Sequence, residues 1–121
     1  MAPRVLIVED EPNIADALRF LLTLEGFDVM IEGDGGRAVE RFGSSGADVV
    51  ILDVMLPNRS GFDILRDLKD HTPEPPPVLM LTAKGQARDR DRAHELGVTA
   101  FMTKPFSNAD VISTVKRLAG A

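Results

Sequence analysis

Five residues able to do chemistry follow short apolar runs. Glu9 and Asp10 come after Val5-Leu6-Ile7-Val8, Asp53 after Val49-Val50-Ile51-Leu52, Thr82 after Val78-Leu79-Met80-Leu81, and Lys104 shortly after Ala100-Phe101-Met102. Three carboxylates brought together repel one another, and a hard divalent cation with oxygen ligands is one remedy. Magnesium takes only one or two carboxylates directly and keeps several waters, which suits this set. Lys104 can pair with Asp53, or with a phosphoryl oxygen once one is attached there, and Thr82 can donate a hydrogen bond to another oxygen. Phosphoryl transfer asks chiefly for alignment and for neutralisation of charge on the equatorial oxygens. With metal, ammonium and hydroxyl supplying that neutralisation, Asp53 is the candidate nucleophile.

Taken singly, each residue has a plainer explanation. Acidic residues at strand ends are common, Thr82 reads first as a helix N-cap, and a lysine before proline is usually solvated. The chemistry rests on all of them reaching one rim, so the elements that carry them decide the matter.

Those elements alternate between strand and helix five times. The continuous β-branched and leucine runs are the mark of strands buried on both faces. After the first strand, Pro12 suits the first turn of a helix. Ile14, Leu18, Leu21 and Leu22 recur along one face of it, and Gly26 stops it. A short second strand at Val29-Met30-Ile31 leads to a helix with Ala38, Val39 and Phe42 on one side, expected to fray over Gly43-Ser44-Ser45-Gly46. A turn from Pro57 to Gly61 precedes a third helix marked by Phe62, Leu65 and Leu68. Pro73 and Pro75-Pro76-Pro77 form a stiff connector. The fourth helix, through Arg88-Asp89-Arg90-Asp91-Arg92, is charge-laced and poorly anchored, with only Ala87, Ala93 and Leu96 as apolar contacts, and Gly97 ends it. The fifth sets Val111, Ile112, Val115 and Leu118 inward. Such alternation predicts an α/β fold: a flavodoxin-like (βα)5 sandwich, whose five-stranded parallel sheet has order 2-1-3-4-5 and helices on both faces. Ligand sites in such sheets lie at the carboxyl ends of the strands, where the five residues fall.

Length and composition fit this frame. The 121 residues are expected to form one domain, 1–121. Net charge is −5, from 19 acidic and 14 basic residues, which argues against nucleic-acid binding through a basic surface. There is no cysteine, so disulfides and thiolate metal sites are excluded. No apolar run approaches the ~18 residues of a membrane span, and a cytoplasmic protein is expected. His71 and His94 lie in polar stretches and read as solvated.

The stretches Val5–Pro12 (VLIVEDEP), Val50–Pro57 (VILDVMLP) with Gly61, Leu81–Ala83 (LTA) and Phe101–Phe106 (FMTKPF) resemble the receiver domain of bacterial two-component response regulators, end to end. The resemblance implies that Asp53 is the phosphorylated aspartate, and that Mg2+ (or Mn2+) is held by Asp10 directly, by Glu9 through water, by Asp53 and by the backbone carbonyl of Met55. Thr82 matches the switch hydroxyl, Lys104 the family's lysine, and Phe101 the aromatic rotamer switch, though Phe101 also reads as an ordinary core aromatic. A cis bond between Lys104 and Pro105 is implied as well. The phosphodonor would be a sensor histidine kinase or a histidine phosphotransfer protein. The output, by way of the face formed by the fourth helix, fifth strand and fifth helix, would go to an unknown protein or to an output domain beyond this sequence. A role as phosphate sink or phosphorelay intermediate is the alternative. The resemblance does not make the chain an enzyme with turnover, since it would catalyse only its own phosphorylation and slow dephosphorylation.

Some positions depart from the subfamily that carries winged-helix DNA-binding domains. Thr99 and Ala100 stand where acidic residues are expected, and Thr114 where an arginine is, leaving Arg90 and Asp110 as a plausible pair. A monomer or a weak phosphorylation-dependent dimer is therefore expected. Met55 and Lys84, each two residues past a site residue, are expected to flank the path of attacking water and slow hydrolysis. Two other classes fit poorly. A haloacid dehalogenase phosphatase needs a second acid where Met55 stands, and a flavin-binding carrier needs a hydroxyl-rich loop where Glu9-Asp10-Glu11 would repel phosphate.

Overall fold

The computed structural model describes residues 2–83 and 87–120, apart from the side chains of His71 and Ala87. The expectations for Lys84 and for the His71 and Ala87 side chains lie outside the described residues.

Five strands, β1 (Arg4–Val8), β2 (Asp28–Glu32), β3 (Val49–Asp53), β4 (Val78–Thr82) and β5 (Ala100–Thr103), form one parallel sheet of order β2-β1-β3-β4-β5. The helices are α1 (Pro12–Leu24), α2 (Ala38–Ser45), α3 (Gly61–His71), α4 (Ala87–Glu95) and α5 (Asn108–Leu118), and a single 3-10 turn, Gly35–Arg37, precedes α2. This is the flavodoxin-like arrangement that the alternating pattern predicts.

Central strands β3 and β4 are buried at every position, whereas edge strands β2 and β5 are mostly half-buried. Alternation of side chains along each strand makes two cores, one on each face of the sheet. Val5, Ile7, Val49, Ile51, Leu79 and Leu81 pack with Ala15, Leu18 and Leu22 of α1 and Val111 and Val115 of α5. Leu6, Val8, Val50, Leu52 and Met80 pack on the opposite face with Ala38 of α2, Phe62, Leu65 and Leu68 of α3, and Ala93 of α4. Each fully buried leucine or isoleucine contributes roughly 1.5–3 kcal/mol through removal from water.

Helix starts and stops follow local chemistry. Pro12 opens α1, and Ser60 and Ser107 cap α3 and α5 by accepting from the Asp63 and Asp110 amides. The expected fraying after Phe42 does not occur: α2 continues through Gly43-Ser44-Ser45 and ends on the left-handed Gly46. Ser45 is buried and its hydroxyl donates to the Phe42 carbonyl, which holds that last turn. In α5 the inward face includes Thr114, which is buried between Val111 and Val115 in the helical register. Helix α4 has Ala93 as its buried anchor, and the Arg92 guanidinium lies 4.6 Å from the centre of the Phe62 ring. That contact ties α4 to α3 through a cation over an aromatic face. No helix among the described residues is long and apolar enough to cross a membrane.

Candidate functional site

Register brings the five residues to one rim. Val8 pairs with Leu52, Asp53 with Leu81, and Thr82 with Thr103, so Glu9, Asp53, Thr82 and Lys104 all leave the sheet within about a residue of the same level. The Glu9 amide extends the ladder by donating to Glu32 O at 3.2 Å, and the Lys104 amide donates to Thr82 O at 2.6 Å. The Lys104–Pro105 bond is cis.

Gly61 explains how β3 and the next helix meet. Its amide donates to Val54 O at 2.9 Å, closing the loop, and a Cβ there would lie 2.2 Å from Asp53 O. No other residue type lets α3 start this close to the Asp53 backbone.

Glu9, Asp53 and Thr82 are each at most 2% exposed, whereas Asp10 and Met55 are exposed. Carboxylate oxygens of Glu9, Asp10 and Asp53 lie within 4.8 Å of one another. Lys104 Nζ lies 2.8 Å from Glu9 Oε1, 3.3 Å from Asp53 Oδ2 and 3.6 Å from Glu11 Oε1. The expected Lys104–Asp53 pair is thus present, but the lysine's shorter bond goes to Glu9. Glu11 also joins the cluster. Glu9 Oε2 accepts from the Asp10 amide at 3.0 Å, and Asp53 Oδ1 from the Met55 amide at 3.4 Å.

Burial raises the Glu9 carboxyl to about 7, with neighbouring Asp53 adding to the shift and Lys104 opposing it. Burial works against the Lys104 charge, but Glu9 and Asp53 outweigh it and hold its pKa above the usual lysine value. One buried carboxyl thus lacks enough positive charge to ionise at its ordinary pH, although every buried side-chain polar atom among the described residues is hydrogen-bonded. Three convergent hard oxygen donors with a deficit of positive charge fit a divalent cation.

The other flank of the site is an open cleft of about 690 Å³, running from Asp10 and Glu11 past Met55 to Asn58 and Arg59. Phe101, in β5, is half-buried against the core on the α3/α4 face, and the Arg90 guanidinium stands 5.7 Å from its ring centre. Asp110, named above as a plausible partner of Arg90, lies exposed in the first turn of α5, and His94 is exposed as expected.

Sequence reading missed the contacts that hold the loop between β3 and α3. Asn58 donates to Asp34 Oδ1 at 2.9 Å, the Gly35 amide donates to Pro57 O at 3.1 Å, and Arg59 pairs with Asp67. The only trace in the sequence is turn chemistry: Asp34-Gly35-Gly36 on one loop and Pro57-Asn58 on the other.

A doubly wound sheet of this order, with carboxylates, a hydroxyl and a lysine gathered at its carboxyl rim, defines a class of α/β protein with its site at the switch in strand order. Within that class, residues 5–116 match the response regulator receiver domain, and the chain belongs to that family. It is 44% identical over 112 residues to the sensory transduction protein RegX3 of Mycolicibacterium smegmatis, an alignment that takes in 93% of this chain and 48% of that protein. The chain thus spans about half the length of the curated relatives it matches. The fold superposes on the BeF3-activated N-terminal receiver domain of Klebsiella pneumoniae RstA with a TM-score of 0.89 at 25% identity, over 98% of this chain and 99% of that one. It superposes on the signal receiver domain of a signal transduction histidine kinase from Syntrophus aciditrophicus with a TM-score of 0.88 at 35% identity, over 98% and 91%. The chain is the receiver domain of a two-component response regulator.

Proposed function

We infer that Asp53 accepts a phosphoryl group from a phosphohistidine on a sensor histidine kinase or a histidine phosphotransfer protein. The observation that carries this is Lys104 Nζ held between Glu9 Oε1 and Asp53 Oδ2 on a rim where three carboxylates converge. An Asp53 carboxylate oxygen attacks phosphorus, the P–N bond breaks, and the departing imidazole nitrogen keeps the electron pair and takes up a proton. Glu9, Asp10, Asp53 and the Met55 carbonyl would hold Mg2+ or Mn2+, which supplies charge neutralisation on the phosphoryl oxygens. Lys104 exchanges its Asp53 contact for a phosphoryl oxygen, and Thr82 donates to another. Hydrolysis of the acyl phosphate by water, with Met55 at its exposed edge, returns the aspartate. The domain acts on itself alone and turns over no separate substrate.

Read-out follows from sheet parity. Thr82 shares the parity of Met80, which pairs with Phe101, so both face the α3/α4 side. Movement of Thr82 toward a phosphoryl group vacates space on that side, and Phe101 turns into it, away from Arg90. Helix α4, strand β5 and helix α5 then present a changed face to an output partner or domain.

Incubation with acetyl phosphate and Mg2+, followed by intact mass, tests the reaction. Wild type should gain one phosphoryl group and Asp53→Ala none; gain by both, or by neither, refutes it.

A further inference from the structure

The segment from Met55 to Ser60 leaves the acceptor strand, carries the backbone carbonyl assigned to the metal, and runs along the open cleft. Its two ends are fixed by Val54, whose amide donates to Leu81 O at 3.0 Å and whose carbonyl accepts from Gly61. Between those ends it leans on a different element, the loop after β2. There the Asp34 carboxylate accepts twice on Oδ1, from the Gly36 amide at 2.8 Å and from the Asn58 side-chain amide at 2.9 Å. Those two bonds, Asn58 first, hold the pKa of the Asp34 carboxyl below the usual carboxylate range.

The fit between the two loops is close. A Cβ on Gly35 would lie 2.5 Å from Arg59 O, 2.9 Å from Pro57 O and 3.1 Å from Leu56 Cβ. Asn58 has a φ of 68°, a left-handed conformation that asparagine tolerates better than most side chains, and there its amide meets Asp34. The loop after β2 is in turn set by the site: the Asp34 amide donates to Glu32 Oε2 at 3.1 Å, and Glu32 O accepts from the Glu9 amide.

We propose that Asp34 and Asn58, clasped across these two loops, are positioning residues that preset the Met55 carbonyl for the divalent cation without touching it. The proposal rests on the metal-assisted reading above. Outer partners that orient metal ligands tune affinity although they make no bond to the ion. Freed from the clasp, the loop samples other backbone angles, and binding must first order it.

Asn58→Gly is the informative variant, because glycine keeps the left-handed turn without strain and removes only the amide. Asp34→Ala removes the acceptor, while Asp34→Asn removes the charge and keeps an acceptor oxygen. Mg2+ alone is titrated into the whole chain by calorimetry, and thermal unfolding is followed without metal. Asn58→Gly and Asp34→Ala should weaken Mg2+ binding about fivefold, with Asp34→Asn within about twofold of wild type. The metal-free midpoint of Asn58→Gly should stay within about 2 °C of wild type. Unchanged affinity in Asn58→Gly overturns the clasp, and so does an Asp34→Asn as weak as Asp34→Ala, since the effect is then long-range charge. A wild type that binds no Mg2+ overturns the metal reading itself, and the clasp with it.

Discussion

Replacing Glu9 by glutamine tests the electrostatics of the site through folding alone. The Glu9 carboxyl is raised from 4.5 to about 7 by burial and by Asp53, against the pull of Lys104. A raised carboxyl binds its proton more tightly in the folded chain. Its contribution to stability is therefore fully present below pH 4.5 and lost as pH rises through about 7. At about 1.4 kcal/mol per unit, the shift from 4.5 to about 7 corresponds to about 3 kcal/mol. Lys104 stays charged throughout this window, because its own value is raised. Carboxylates away from the rim act alike in both proteins and cancel in the difference. Metal-free Glu9→Gln should therefore gain on wild type by about 3 kcal/mol between about pH 4.5 and pH 8, or roughly 10 °C in midpoint. Urea unfolding followed by far-ultraviolet circular dichroism measures it, as the chain has neither tryptophan nor tyrosine. Mg2+ at about a hundred times its dissociation constant should return about 2.7 kcal/mol to wild type and little to the variant. Stability curves that run parallel across this pH range would refute the reasoning.

Two further substitutions probe the scaffold. Gly61→Ala places a methyl group 2.2 Å from Asp53 O, so α3 must shift; a loss of at least about 3 kcal/mol in urea unfolding is expected, with phosphorylation of Asp53 lost in what remains folded. Arg92→Ala removes the cation over Phe62 and should cost about 1 kcal/mol, seen first as faster amide exchange in α4 than in α3.

The sheet was legible because a parallel strand buried on both faces needs an uninterrupted apolar run, and Val49 to Leu52 and Val78 to Leu81 leave no second interpretation. The rim residues followed from where those runs stop. What the sequence could not show was which carboxylate Lys104 approaches most closely, since Glu9 and Asp53 differ by about half an ångström of placement and not by residue type. The Asp34–Asn58 clasp was hidden for a related reason: the pair is 24 residues apart, and it forms only because Asn58 takes a left-handed φ. Thr114 was not read as part of the inner face of α5, because a threonine in a helix carries no fixed preference for inside or outside, and its place one turn from Val111 decides for burial. Glycine and serine pointed to an early end for α2, yet Ser45, tucked under its own helix, prolongs it.

The two cores described above share no side chains, being separated by the backbone of the sheet itself. Substitutions under α1 and α5 and substitutions under α3 and α4 therefore have no common neighbours, and their energetic effects should add. Asp53 shares the parity of Ile51 on the first side, and Thr82 that of Met80 on the second, so the rim is where the two meet. The domain can thus drift in sequence on one side of the sheet without disturbing the packing on the other. Only the few residues at the rim are answerable to both.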